Sequence, residues 1–244
     1  MSSHFQGKNP HEHILQKKQE GALSESHGLE MPGHLAAGAD ALRETALLLS
    51  LVWLLLLLVN ITDPQRALAL ISFSFGILIW KTGRSGWLAW SRLEQLHTLI
   101  EQEKFEIEHH KEQEREELLA LYRAKDFEGP LLEEVVDFLM SDQKRLLKIM
   151  IEEELGLSLE GFEHPLKQCL GAFFGSFIAL VLAFFFYSWL PSYGLLISSA
   201  LSLIGGALLS ILYEKNRIIP GVIWNLGLAI LCFGCIYFIF KMLN

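Results

Sequence analysis

Long stretches without charge alternate along the chain with short polar breaks and one extended charged segment. A hydrocarbon core needs about 20 residues of helix to cross. Counted against that length, the uncharged runs predict five membrane-spanning helices, at residues 45–61, 64–80, 168–190, 193–213 and 218–240. The first is short and mostly leucine. Thr62-Asp63-Pro64 suits an Asp N-cap followed by Pro at the first helical position. Lys81 and Arg84 mark the end of the second span, and Pro191 closes the third.

Between the second and third spans the pattern turns amphipathic. No proline occurs from Trp87 to Gly129, and Glu, Leu, Lys and Gln dominate. The second span is therefore expected to run on as one helix through Tyr122. A break at Phe127-Glu128-Gly129-Pro130 starts another helix, with apolar positions at Leu131, Leu132, Val135, Val136 and Leu139. Ser141-Asp142 then opens a third, expected to run to about Leu155 before Gly156 ends it. The fold class these patterns predict is all-α: a polytopic membrane protein of five transmembrane helices, with a three-helix acidic domain between helices 2 and 3. Its expected parts are a polar, disordered tail over residues 1–40, transmembrane helices 1–2 over 41–90, the acidic domain over 91–164, and helices 3–5 over 165–244.

Whole-chain composition changes this picture little, with 51% hydrophobic residues and a mean hydropathy of +0.32. Charge distribution changes it more. Of 28 Asp and Glu, 20 fall between Arg92 and Glu163, against nine Lys and Arg there. A segment that negative repels phosphate, so no nucleic-acid partner is expected. The partner that the uncharged spans imply is the lipid bilayer. Sorted by loop, alternate segments carry 18 and 2 of the 20 Lys and Arg. The positive-inside rule then places the N-terminus and the acidic domain in the cytoplasm and the C-terminus outside or in a lumen. The first 40 residues lack the apolar region of a signal peptide, so the first hydrophobic helix is expected to do its own targeting.

The acidic domain holds the candidate chemistry. At 100° per residue with Glu103 at zero, Glu106, Glu114 and Glu117 fall at about 300°, 20° and 320°. Leu96, Leu99, Ile107 and Leu121 fall within or beside the same arc, so this face is expected to pack against partner helices. Carboxylates on a packing stripe are costly unless a cation compensates them. Glu101, Glu108, Glu112 and Glu116 fall on the far side and read as a solvated face. Met150 and Glu154, four residues apart, project together from the third helix, on the side of Leu146 and Leu147. A thioether beside carboxylates suits Fe(II) or Mn(II), or Zn(II) in substitution, better than Mg or Ca. The plainer alternative is that Met150 fills core and the glutamates pair with Lys104, Lys111 and Arg115. His110 lies near enough in angle to join the set; His109 does not.

Other features carry less. His4, His11, His13, His27 and His34 are irregularly spaced in the tail, and a loose metal site is weaker than a plain polar tail. Cys232-x-x-Cys235 lies inside an apolar run and reads as helix packing, and with Cys169 it offers no disulfide framework. Gly171-x-x-x-Gly175 and the recurring Gly221, Gly227 and Gly234 indicate close helix packing or a dimer seam. No nucleophile–base pair or phosphate loop appears, so no enzyme is expected.

The stretch from Glu103 to Leu157 resembles the cytoplasmic metal-binding domain of the vacuolar iron transporter family. The matching elements are Glu103-x-x-Glu106, Glu114-x-x-Glu117, Tyr122, and the run Met150-Ile151-Glu152-Glu153-Glu154-Leu155-Gly156-Leu157. The five-span plan with this domain after the second span is also the family's. The resemblance implies a homodimeric carrier that exports Fe2+, and sometimes other divalent ions such as Mn2+, from the cytosol in exchange for protons. It implies Glu103, Glu106, Glu114, Glu117, Met150 and Glu154 as metal ligands, with Zn2+ able to substitute in vitro and no resident cofactor. Ile151 stands where the family has a second methionine. Asp40, in Ala39-Asp40-Ala41, is the nearest equivalent of an Asp-Gly in the family's first span, and so a transport-path candidate. Trp80 and Gly83-Arg84-Ser85 replace a Met and a Gly-Glu-Tyr of its second span. Two rival readings accompany the carrier: a non-transporting membrane metal sensor or buffer, and a structural protein whose long acidic helices merely dimerise.

Overall fold

The computed structural model describes residues 31–154 and 163–243, and of Glu153 and Glu154 the backbone alone. His4, His11, His13 and His27, and the Leu155-Gly156-Leu157 ending, lie outside the described residues. Every regular element among the described residues is helical: α1 (Gly33–Leu58), α2 (Asp63–His109), α3 (Lys111–Arg123), α4 (Gly129–Met140), α5 (Gln143–Ile149), a π-helical turn (Met150–Glu154), α6 (Pro165–Trp189), α7 (Gly194–Tyr213) and α8 (Ile218–Leu243). Five of these, α1, α2, α6, α7 and α8, are long and apolar enough to cross a membrane. Contacts divide the chain into two compact units, one of Met1–Trp87 with Pro165–Asn244, the other of Leu88–His164.

Two boundaries differ from the sequence reading. Helix α1 starts at Gly33 rather than near residue 45, so it takes in the last part of the expected tail together with Asp40, Arg43 and Glu44. Counting uncharged residues truncated it, because a helix tolerates charges in its first turns where a hydropathy count stops. The second difference is larger. The helix expected to continue through Tyr122 ends at His109, and His110 (φ −126°, ψ 39°) separates it from α3. No proline or glycine marks this break; His110 N–H still bonds the Glu106 carbonyl, and the Glu114 N–H turns back to His110.

Local chemistry explains the other ends. Asn60 and Lys215 follow α1 and α7 in the left-handed conformation (φ 58° and 54°). Beyond them the Ile61 and Asn216 N–H groups reach back to the Leu56 and Ile211 carbonyls, closing Schellman motifs. At the start of α2, Thr62 occupies the cap and Asp63 the first turn, where it pairs with Arg66. Asp142 caps α5 by accepting from the Lys144 N–H.

In the membrane unit α1 packs on α6 and α7, and α8 lies beside α7 and α1. The α1–α6 seam is made of glycine. A Cβ on Gly171 would collide with the His34 carbonyl, and one on Gly175 with that of Gly38. Deeper along the seam Thr45 Oγ1 donates to Ser176 Oγ at 3.0 Å, both fully buried. A larger cluster, Leu49, Trp53, Leu70, Leu180, Ala183 and Leu195, ties α2 to the others through side chains. The acidic unit has a separate core of Ile107, Leu118, Leu132, Val136, Leu139, Leu146 and Met150. Of the apolar positions expected on α4, Leu132, Val136 and Leu139 are buried, whereas Leu131 is exposed.

Candidate metal-binding residues

Although His110 interrupts the winding, the four glutamates divide within each helix: Glu106 and Glu117 each lie three residues, about 60° round, from Glu103 and Glu114, and do not share their face. Glu103 and Glu114 are buried, at 7% and 2% exposure, while Glu106 and Glu117 are exposed. The two buried ones follow from their neighbours. Ile107 lies one turn after Glu103 and Leu118 one turn after Glu114, and both belong to the core cluster. Met150, 1% exposed, is in that same cluster and opens the π-helical turn. A π-turn widens the helix by one residue and is often retained where a side chain must be aimed.

Three of the six candidates, Glu103, Glu114 and Met150, thus lie on core-facing positions of one small unit. Glu106 and Glu117 do not join them, and the side chain of Glu154 lies outside the described residues. Among the described residues no group of three or more His, Cys, Asp or Glu converges closely enough to hold a metal. Arg115, offered as a pairing partner for the glutamates, instead binds Glu133 and Asp137 of α4. Those hydrogen bonds hold its guanidinium above its ordinary pKa. His109 and His110 are exposed, and the His109 ring stacks on Phe105 with centroids 4.1 Å apart.

In the membrane unit Asp40 is exposed and pairs with Arg43 on its own helix. An ion pair that crosses helices joins Glu44 of α1 to Lys81 of α2, and Lys81 is buried. Counted from Gly33, Glu44 lies about 16 Å along α1. The pair stands at the edges of the uncharged runs that begin at Thr45 and end at Trp80, and Glu44 is half exposed. Sequence reasoning missed it by starting the span one residue after Glu44. It also missed a hydroxyl seam. Thr45 and Ser50 of α1, Ser176 of α6, and Ser198, Ser199 and Ser202 of α7 are all buried. Their spacing on apolar helices was the available signal. Cys232 is half-buried and Cys235 exposed, both free thiols, and Cys169 touches the Gly86 position.

Comparison with known proteins gives one family. A family model described as the VIT family matches residues 83–241. No curated protein and no solved structure gives a significant match. The matched stretch is well over half of the chain and takes in the end of α2, the whole acidic unit and the last three spans. It leaves out α1 and α2 up to Thr82, Trp80 included, and begins at Gly83-Arg84-Ser85. Five apolar helices and a match to a family of membrane metal transporters lead to one conclusion: the chain is a multi-pass integral membrane protein belonging to the vacuolar iron transporter family.

Proposed function

We propose that the protein exports divalent transition metal, Fe2+ first and Mn2+ as a second cargo, from the cytosol in exchange for protons, working as a homodimer. The acidic unit, on the cytosolic side with the N-terminus, gathers the ion. The supporting observation is the burial of Glu103 and Glu114 on the faces that carry Ile107 and Leu118, beside a core containing Met150. Buried carboxylates are expensive in a small helical unit, and a dication offsets that cost while taking oxygen and thioether donors in place of water. Glu106, Glu117 and Glu154 are the further ligands in this reading, completing the set when the ion arrives. The Lys and Arg count supports the orientation, since 18 of 20 fall in segments on one side. Asp40 and the Glu44–Lys81 pair stand along the route through the membrane unit.

The test is Fe(II) flux into proteoliposomes holding the full chain, for the parent and for Glu103→Gln with Glu114→Gln. The double variant keeps the side-chain shapes and is expected to need at least about tenfold more metal for the same flux, the scale on which altered metal sites lose affinity. Unchanged concentration dependence would remove the acidic unit from the transport reaction. Metal binding without flux in the parent would favour the sensor or buffer, the reading supported by a buried Lys81 where a dication would have to pass.

A further inference from the structure

Along the seam between α1 and α6 a groove of about 540 Å3 opens at the surface of the membrane unit. Its walls are apolar: Leu42 of α1, Phe174 and Ile178 of α6, and Leu209 of α7. Phe174, Ile178 and Leu209 are about half exposed, so the groove faces outward. Its floor is the glycine seam, where the backbones of α1 and α6 touch. Polar character is confined to one end. There α1 and α6 both begin, and His34 and the exposed Lys167 stand at the mouth. From Lys167 to Ile178 the groove follows about 16 Å of helix. That is close to one leaflet of a hydrocarbon core about 30 Å thick.

Depth, wall chemistry and charge select one kind of occupant. A soluble anion would use Lys167 but none of the apolar wall. A zwitterionic lipid would use the wall but gain little from the ammonium. We propose that this groove binds one anionic phospholipid, its phosphate against Lys167 beside His34 and an acyl chain along Leu42, Phe174, Ile178 and Leu209. Helix starts on the same side add positive potential at the headgroup level, a secondary contribution. The lipid then acts as a strut, covering the α1–α6 glycine contact from outside.

Full-length protein in detergent is offered phosphatidylglycerol, phosphatidylcholine or inorganic phosphate, and bound lipid is read by native mass spectrometry alongside thermal unfolding. Phosphatidylglycerol is expected to be retained and to raise the melting temperature, and the other two are not. Lys167→Glu, at an exposed first-turn position, should lower phosphatidylglycerol retention roughly fivefold or more, the worth of one basic side chain near a charged surface. Ile178→Trp, which fills the groove from an exposed position, should expel the lipid while leaving helix content unchanged. Equal retention of the two lipids, indifference to both variants, or displacement of phosphatidylglycerol by inorganic phosphate would each overturn the proposal. So would disulfide formation between two copies of an Ile178→Cys protein in liposomes, because the groove would then be covered by a second chain.

Discussion

In the membrane unit, where α1 meets α6 and α7, the closest approaches are made by small residues, Gly38, Ala39, Gly171, Gly175, Ala179 and Gly206, beside a separate cluster that buries Leu49 and Trp53. Other large side chains of this unit, such as Phe174, Phe185 and Trp224, point outward with half or more of their surface exposed. The acidic unit is arranged the other way, with Leu118, Val136, Leu146 and Met150 at its centre and, apart from the buried Glu103 and Glu114, its charge outside. The difference follows from the solvent. Water drives large apolar side chains together, at roughly 25 cal/mol per Å2 buried. Lipid gives no such drive, so helices associate there by close backbone approach and by hydrogen bonds between side chains. One chain uses both rules, and each region fails in its own way when its rule is broken.

The largest effect is expected at the seam. Gly171→Leu with Gly175→Leu would force side chains against the His34 and Gly38 carbonyls, backbone atoms that cannot swing aside. Overpacking alone costs about 1–3 kcal/mol or more per site. The double variant should lose the folded membrane unit, read as aggregation on size-exclusion chromatography in detergent. The same glycine-to-leucine change at Gly205, where nothing lies within 4 Å of a built Cβ, should be tolerated. If both behave alike, close approach is not what holds α1 to α6.

Next comes the converse lesion. Leu118→Ala removes a fully buried side chain from the acidic core. It should cost about 2–5 kcal/mol, read as faster hydrogen exchange over α3 and α4 with α6 and α7 unaffected. Equal acceleration in both regions would mean that the two cores do not fail separately.

How far the sequence carried differs between the regions for the same reason. Uncharged runs located α6, α7 and α8 within a few residues, because the cost of charge in hydrocarbon is steep and local. The same count placed the start of α1 late, since Asp40, Arg43 and Glu44 pair with Arg43, Asp40 and Lys81 respectively and so are tolerated within the helix. In the acidic unit the helix content was legible and the break at His110 was not: no helix breaker stands there, and the kink has no local sequence cause. The break did not decide the site: Glu106 shares α2 with Glu103 and Glu117 shares α3 with Glu114, and a turn of about 60° within each helix takes the second glutamate off the buried face. Burial at Glu103 and Glu114 could still be read locally, from Ile107 and Leu118 one turn away. The family resemblance was legible because its elements are short runs, which an interruption between them leaves intact.

The smallest expected effect tests the lipid rule at its weakest point. Thr45→Val keeps the shape of the side chain but removes the hydroxyl that donates to Ser176 Oγ in the buried seam. In water-soluble cores a buried hydroxyl left without its partner costs about 1–3 kcal/mol. Between membrane helices measured pairs average nearer 0.6 kcal/mol, because helices not yet packed also find partners in the bilayer. Ser176 sits on α6, within reach of its own helix carbonyls, as Ser50 is on α1, where it donates to the Ala46 and Leu47 carbonyls. It can therefore turn back when Thr45 is lost. The expected penalty is thus below about 1 kcal/mol, read by reversible unfolding in mixed micelles. A loss of several kcal/mol would show that the hydroxyls, rather than the glycines, hold α1 against α6.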